Sequence, residues 1–171
     1  TCNEYLLIHH MLKNASSKEE KAYLLNHLMD QFKGTLFRQT MFAEFEMITH
    51  EMEARGEALT CDALCQIYKD LNKLYFGPDM IIDDEIAMEW ARIPHFYNAF
   101  YVYKYATGII SAISIVKRIL TEGESAVSDY FKFLSSGGCT APVEILKKAG
   151  VDLTTDAPFK AAAEEFQATL D

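Results

Sequence analysis

Apolar residues recur along this chain at intervals of three and four, and that period sets the elements it predicts. A helical pattern begins within the first residues, at Tyr5, Leu6, Leu7 and Ile8, and continues to Leu12. Ser17 with Glu20 then forms a capping box. The stripe Tyr23, Leu24, Leu28, Phe32, Leu36, Phe37, Met41, Phe45 and Ile48 carries a second helix to about Arg55, where Gly56 is the natural stop. So long a helix, with Gly34 near its middle, must be packed along most of its length, because propensity alone would not hold it. Thr60 caps the next helix, through Leu64, Ile67, Leu71, Leu74 and Tyr75, and Gly77-Pro78 breaks it. The acidic run Asp83-Asp84-Glu85 suits the start of a short helix, Glu85 to Ala91, which bears Trp90 and delivers the chain to Pro94. Pro94 is preset for a first helical position, so His95 is expected in the first turn of a helix running on towards Leu120. Gly108, Ser111, Ala112 and Ser114 in its second half are small and read as a packing face. Further helices are expected between Gly123 and Gly137-Gly138, from Pro142 to Gly150, and from Pro158 to about Leu170. No stretch alternates as a strand and no repeat of fixed period appears. The class is all-α, a multi-helix bundle-like arrangement with long helices near 17–55 and 94–120.

Composition narrows this picture. A chain of 171 residues, 50% of them hydrophobic, supports one substantial core, and a single helical domain over 1–171 is the expectation. The excess of 25 acidic over 16 basic residues gives a net charge of -9, which argues against nucleic acid and against an anionic membrane surface as partners. No apolar run approaches the roughly 20 residues that span a bilayer, and none resembles a signal peptide. Cys2, Cys61, Cys65 and Cys139 form no CxxC, and Cys61 and Cys65 lie one helical turn apart, which suits neither a secreted staple nor a zinc ribbon. Reduced thiols in a soluble, cytoplasmic chain are expected.

Several chemistries fail on spacing. His50-Glu-Met-Glu-Ala54 starts like HExxH, but Ala54 stands at the second histidine position. The residues three before His9, His10, His27, His50 and His95 are Leu6, Leu7, Leu24, Met47 and Arg92, so the Glu-x-x-His of a di-iron bundle is absent. Glu46 and His50 lie one turn apart, yet two ligands do not make a metal site, and the pair reads as a solvated face. No GxGxxG, P-loop or Gly-x-Ser-x-Gly supports nucleotide binding or serine hydrolysis.

The chemistry concentrates in Ile93 to Gly108, where one histidine, four tyrosines and two phenylalanines fall within sixteen residues. At helical spacing Tyr97, Tyr101 and Tyr105 would share one face, while Phe96, Phe100, Tyr103 and Thr107 take an adjacent one. Aromatics in such a pattern commonly form core. Tyrosines differ from phenylalanines in that each buried hydroxyl needs a partner, so three on one stripe favour a cleft wall whose hydroxyls and imidazole donate to a substrate carbonyl or an oxyanion.

Phe37-Arg-Gln-Thr-Met-Phe-Ala-Glu-Phe45 and Arg92-Ile-Pro-His-Phe-Tyr-Asn-Ala-Phe-Tyr-Val-Tyr-Lys-Tyr-Ala-Thr-Gly108 resemble the bacterial oligoendopeptidase F family, within the thimet-oligopeptidase-like zinc metallopeptidases. Leu71-Asn-Lys-Leu-Tyr-Phe-Gly-Pro78, Phe133-Leu-Ser-Ser-Gly-Gly138 and Leu146-Lys-Lys-Ala-Gly-Val-Asp152 add to the likeness, which covers essentially the whole chain through their order and spacing. In that family HExxH supplies two zinc ligands and the general base, and a glutamate on a following helix completes the site. None of these is in this sequence, so the resemblance implies the C-terminal part of a larger helical peptidase, with zinc in the full-length parent and none held by this chain alone. It further implies short peptides as substrates, the upstream half of the same peptidase as partner, and an apolar face left able to self-associate. His95 matches the family histidine that contacts the substrate backbone, and Tyr101 and Tyr105 are carried over as catalytic hydrogen-bond donors. Tyr97 and Tyr103 remain substrate-binding alternates, because tyrosine spacing varies within the family. By that resemblance the isolated chain is inactive, supplying cleft wall and donors without the metal. The competing reading is a non-catalytic all-α module that binds a peptide or partner helix through its aromatic face.

Overall fold

Residues 1–170 are described by a computed structural model, and every regular element among them is helical. The α-helices are α1 (Cys2–Asn14), α2 (Lys18–Gln31), α3 (Arg38–Ala54), α4 (Cys61–Phe76), α5 (Tyr103–Glu122), α6 (Glu124–Ser135), α7 (Pro142–Lys147) and α8 (Ala157–Leu170). A π-helical segment, Phe32–Phe37, links α2 to α3, and 3₁₀ turns occupy Asp84–Arg92 and Pro94–Tyr97. No described helix is long and apolar enough to cross a membrane.

The caps follow the sequence signals. Ser17 Oγ accepts from the Glu20 amide at 3.0 Å. The Glu20 carboxylate reaches one residue further back than a capping box requires, accepting from the Ser16 amide at 2.8 Å and its hydroxyl at 2.7 Å. Thr60 Oγ1 accepts from the Ala63 amide at 3.2 Å, and Gly56, at φ 76, closes α3 in the left-handed conformation that a side chain would resist. The long helix expected to Arg55 forms as α2, the π segment and α3. One π-helical segment around Gly34 changes the phase of the apolar stripe: Leu24, Leu28 and Phe32 are buried before it, and Met41, Phe42, Phe45 and Glu46 after it.

The chain divides into two compact units. The first is built from Thr1–Lys33 and the residues from Thr107 on. Here α1 packs on α2 and α2 on α8. Phe32 sits edge-on to both Tyr5 and Phe166, with ring centroids 6.4 and 5.2 Å away, the geometry that places a ring's positive edge on its neighbour's negative face. Ile115, Ala149 and Val151 form a further cluster, against which Cys2, Tyr130 and Leu146 pack. Ser111, Ala112 and Ser114 are buried, as expected of a packing face, whereas Gly108, expected with them, is exposed.

The second unit, Gly34–Ala106, is the one that carries the candidate chemistry. Its α3 and α4 lie against each other, and α4 also packs on the Asp84–Arg92 turn. The core is aromatic: Phe42, Phe45 and Tyr68 are buried together with Met41, Leu71, Ile93 and Val102, and Trp90 and Phe96 close over them. Removing each such side chain from water contributes roughly 1.5–3 kcal/mol, so this cluster dominates the unit's cohesion.

Candidate functional site

The stretch from Ile93 to Tyr105 is not one helix. Pro94 opens a single 3₁₀ turn, Pro94–Tyr97, and the ladder breaks at Asn98, whose backbone is at φ -120 and ψ 88. Phe100 then takes φ 57, and α5 begins only at Tyr103. Burial explains the departure from the period of four. Ile93 and Val102 are 6% and 0% exposed in the core, and Phe96 packs against Phe42 and Phe45 with centroids 5.5 and 5.2 Å away. These three apolar side chains anchor both ends of the segment, and no continuous helix from Pro94 could place all of them inward. The long helix expected near 94–120 is therefore shortened at its N-terminal end.

With the segment pinned in this way, His95, Tyr101 and Tyr105 come together at a half-buried surface. The His95 ring stacks on Tyr101 at 5.5 Å and meets Tyr105 edge-on at 5.8 Å, and the two tyrosine rings are 5.6 Å apart. The Tyr105 hydroxyl lies 3.3 Å from His95 Nε2 and donates to the Tyr101 hydroxyl over 3.5 Å. Lys104 Nζ sits over the Tyr101 ring, 4.5 Å from its centroid. The hydroxyl contact with Tyr101, and after it partial burial, pushes the Tyr105 phenol above its ordinary value of 10, so it keeps its proton through the neutral range. The result is one imidazole and two phenol groups, facing solvent and aimed at a common region.

Tyr97 does not join them. It is 88% exposed on the turn that precedes the break, since the shared face predicted for Tyr97, Tyr101 and Tyr105 presupposed an unbroken helix. Tyr103, 49% exposed, opens α5. Phe96 and Phe100, expected on one face, part company: the first enters the core and the second is exposed.

Two carboxylates of this unit are buried, one of them bonded to the segment, and neither was singled out as such by the sequence. Glu46, read as part of a solvated face, is 4% exposed, and its Oε1 accepts from the Phe100 amide at 2.6 Å. His50, one turn on, is exposed; its Nδ1 lies 2.7 Å from the Glu46 carbonyl oxygen and its ring faces Phe100. Glu89, 7% exposed, accepts from Arg38 at 2.6 Å, from the Tyr68 hydroxyl at 2.6 Å, and from Arg92. Burial pushes the Glu89 carboxyl up, but the bonds from Tyr68 and Arg38 and the charges of both arginines outweigh it and hold the group below its ordinary value of 4.5. The signal for Glu46 was its register. Met41, Phe42 and Phe45 mark the inward face of α3, and position 46 falls on it.

Among the described residues no group of three or more histidine, cysteine, aspartate or glutamate side chains is placed to hold a metal ion. All four cysteines are free thiols, with Cys61 and Cys65 Sγ atoms 3.9 Å apart. The donor set around His95 is suited to hydrogen bonding to an oxygen that carries charge.

Every regular element among the described residues is helical, and the site joins one imidazole to two phenols. The family profile of peptidase family M3 matches residues 1–165, and the chain belongs to that family. It is 49% identical over 171 residues to Oligopeptidase PepF of Bacillus subtilis, covering 100% of this chain and 26% of that protein. It is 39% identical to the chromosomal Oligoendopeptidase F of Lactococcus lactis, again over 100% of this chain and 28% of the relative. The crystal structure of oligoendopeptidase-F from Enterococcus faecium superposes with a TM-score of 0.95 at 43% identity, covering 99% of this chain and 32% of that one. The chain thus spans about a quarter to a third of the length of these relatives.

Proposed function

We propose that this chain is the substrate-facing, C-terminal part of an M3 metallopeptidase that hydrolyses short peptides, and that His95, Tyr101 and Tyr105 are its transition-state donors. The observation that carries the reading is the joining of these three side chains at a solvent-open surface, on a segment whose two ends are anchored in the core. When a scissile carbonyl is attacked its oxygen gains negative charge, and preorganised donors aimed at that position lower the barrier. The Tyr105 hydroxyl, kept protonated by its surroundings, can supply one such bond, with Tyr101 and His95 beside it. Tyr97 and Tyr103 are kept as contacts to the flanking peptide, through exposed phenol faces.

The described residues do not fit a zinc site, so the metal ligands and the general base are assigned to residues outside this chain, in the upstream half of the same peptidase. No step through the metal follows from these side chains. The reading is tested by hydrolysis of a quenched fluorescent peptide by the full-length peptidase carrying this segment. His95→Ala is expected to lower kcat by roughly 10²-fold or more, as loss of an oxyanion donor does. Unchanged turnover would remove His95 from the reaction.

A further inference from the structure

Glu46 is a buried acidic side chain that the proposed donors do not touch. It lies on α3 beside Phe45 and one turn from Phe42, at 4% exposure, where a carboxylate without a partner is strongly disfavoured. Its partner is the main chain of the reactive segment: Oε1 accepts from the Phe100 amide at 2.6 Å, across 54 positions of sequence. The neighbouring His50 directs Nδ1 to the Glu46 carbonyl oxygen, and among the described residues no third metal-ligating group joins the two.

Phe100 is the only residue other than glycine with positive φ among the described residues. At φ 57 its Cβ is crowded by the following carbonyl, and such strain persists only where the surroundings over-determine it. Core burial does not supply the restraint, because Phe100 is 55% exposed. Two consecutive turns of α3 supply it instead. Glu46 holds the amide, and the His50 ring lies 4.6 Å from the Phe100 ring, tilted by 41°. Tyr101 follows immediately, and Val102 is fixed in the core. With Val102 immobile, a change at Phe100 would be absorbed by Tyr101, the residue that stacks on His95 and receives the Tyr105 hydroxyl.

We propose that Glu46 is a positioning residue for the donor set: by holding the Phe100 amide it keeps the left-handed turn that aims Tyr101 at His95 and Tyr105. The proposal rests on the reading of those three as transition-state donors. Glu46, 4% exposed, acts through the main chain at Phe100.

The test uses the full-length peptidase with Glu46→Gln, Glu46→Ala and the double variant Glu46→Ala/Phe100→Gly. Two readouts are followed: kcat with KM, and hydrogen–deuterium exchange of the segment containing Phe100. Glu46→Ala is expected to lower kcat by about 10²-fold with little change in KM, the size of loss that follows a misplacement of about 1 Å. Exchange at Phe100 accelerates in the same variant. Adding Phe100→Gly restores part of kcat, since glycine adopts positive φ without the carboxylate. Glu46→Gln keeps an acceptor of the same shape, so it folds as the parent does; it is expected to lose kcat several-fold, with exchange between parent and Glu46→Ala. Unchanged kcat and exchange in Glu46→Gln and Glu46→Ala would overturn the proposal, as would a loss in Glu46→Ala that Phe100→Gly leaves unrelieved. The two readings fail separately. If His95→Ala and Tyr105→Phe lower turnover but Glu46→Ala does not, positioning alone falls; if those donor variants are silent, the donor reading falls, while exchange still shows whether the carboxylate holds the turn.

Discussion

At the scale of single residues, what decides the site is the partition of aromatic side chains between core and surface. Phe96 carries no polar atom and is drawn onto Phe42 and Phe45, whereas the hydroxyls of Tyr101 and Tyr105 keep their rings at the boundary, where water or a ligand can reach them. Residue type made His95 and the tyrosines candidates alike, and the choice of Tyr101 and Tyr105 among them rested on the family resemblance. Tyr97 was misplaced because a spacing of four has meaning only within an unbroken helix. The turn at Phe100 is bonded to Glu46, 54 positions away in sequence, and no local pattern announces so remote a partner. Glu89 offers the clearest residue-scale prediction. Glu89→Ala strands the Tyr68 hydroxyl and the Arg38 guanidinium beside the core, and is expected to destabilise the fold by roughly 3 kcal/mol, read from the denaturant midpoint. The sign with pH follows from the direction of its shift. Because the folded group lies below the ordinary 4.5, its contribution is fully present above 4.5 and is lost as pH falls through the depressed folded value. In Glu89→Gln that part of the acid loss should disappear; an identical acid titration of stability in parent and variant would contradict the assignment.

At the scale of elements, local signals were reliable wherever a cap or a breaker was on hand. Ser17, Thr60, Gly56 and Gly77 sit where the sequence places them, with the hydrogen bonds or backbone angles those roles need. Ser17→Ala should cost about 1 kcal/mol through loss of the bond to the Glu20 amide, and a cost near zero would mean that Ser16 and Glu20 hold the end of α2 without it. The boundary that pattern reading missed was the start of α5. Pro94 is a sound start signal, and it does open a turn, but it could not show that the turn would end after four residues. Core geometry set that limit through Val102. Trimming this anchor tests the explanation: Val102→Ala should destabilise the protein by about 2 kcal/mol and loosen the segment it pins, seen as faster amide exchange between Asn98 and Tyr105. Stability loss with no change in exchange there would mean that the segment is held by other contacts.

At the scale of the molecule, the all-α class was legible because every stretch repeats at three and four and none at two. The division into two compact units was not, because the chain passes from one to the other inside helical segments, at Lys33 and Gly34 and again at Ala106 and Thr107, with no linker composition to mark either place. Family membership reaches across both units, since the match runs over residues 1–165. The functional proposal divides labour within a larger peptidase, this chain contributing donors and the rest contributing the metal. Accordingly, the purified chain should hold zinc well below stoichiometry and show no chelator-sensitive cleavage, because a catalytic zinc needs about three protein ligands. Stoichiometric zinc with chelator-sensitive cleavage would place the metal site within these residues.

The donor role itself is tested most directly by the two phenols, because replacing tyrosine with phenylalanine removes the hydroxyl and little else. In the full-length peptidase, Tyr105→Phe and Tyr101→Phe should each lower kcat by about 10²-fold or more and leave KM nearly unchanged, as expected of bonds made mainly in the transition state. The two hydroxyls touch, so the double variant should lose less than the product of the single losses. A kcat equal to that of the parent in both single variants, or a loss confined to KM, would contradict the account.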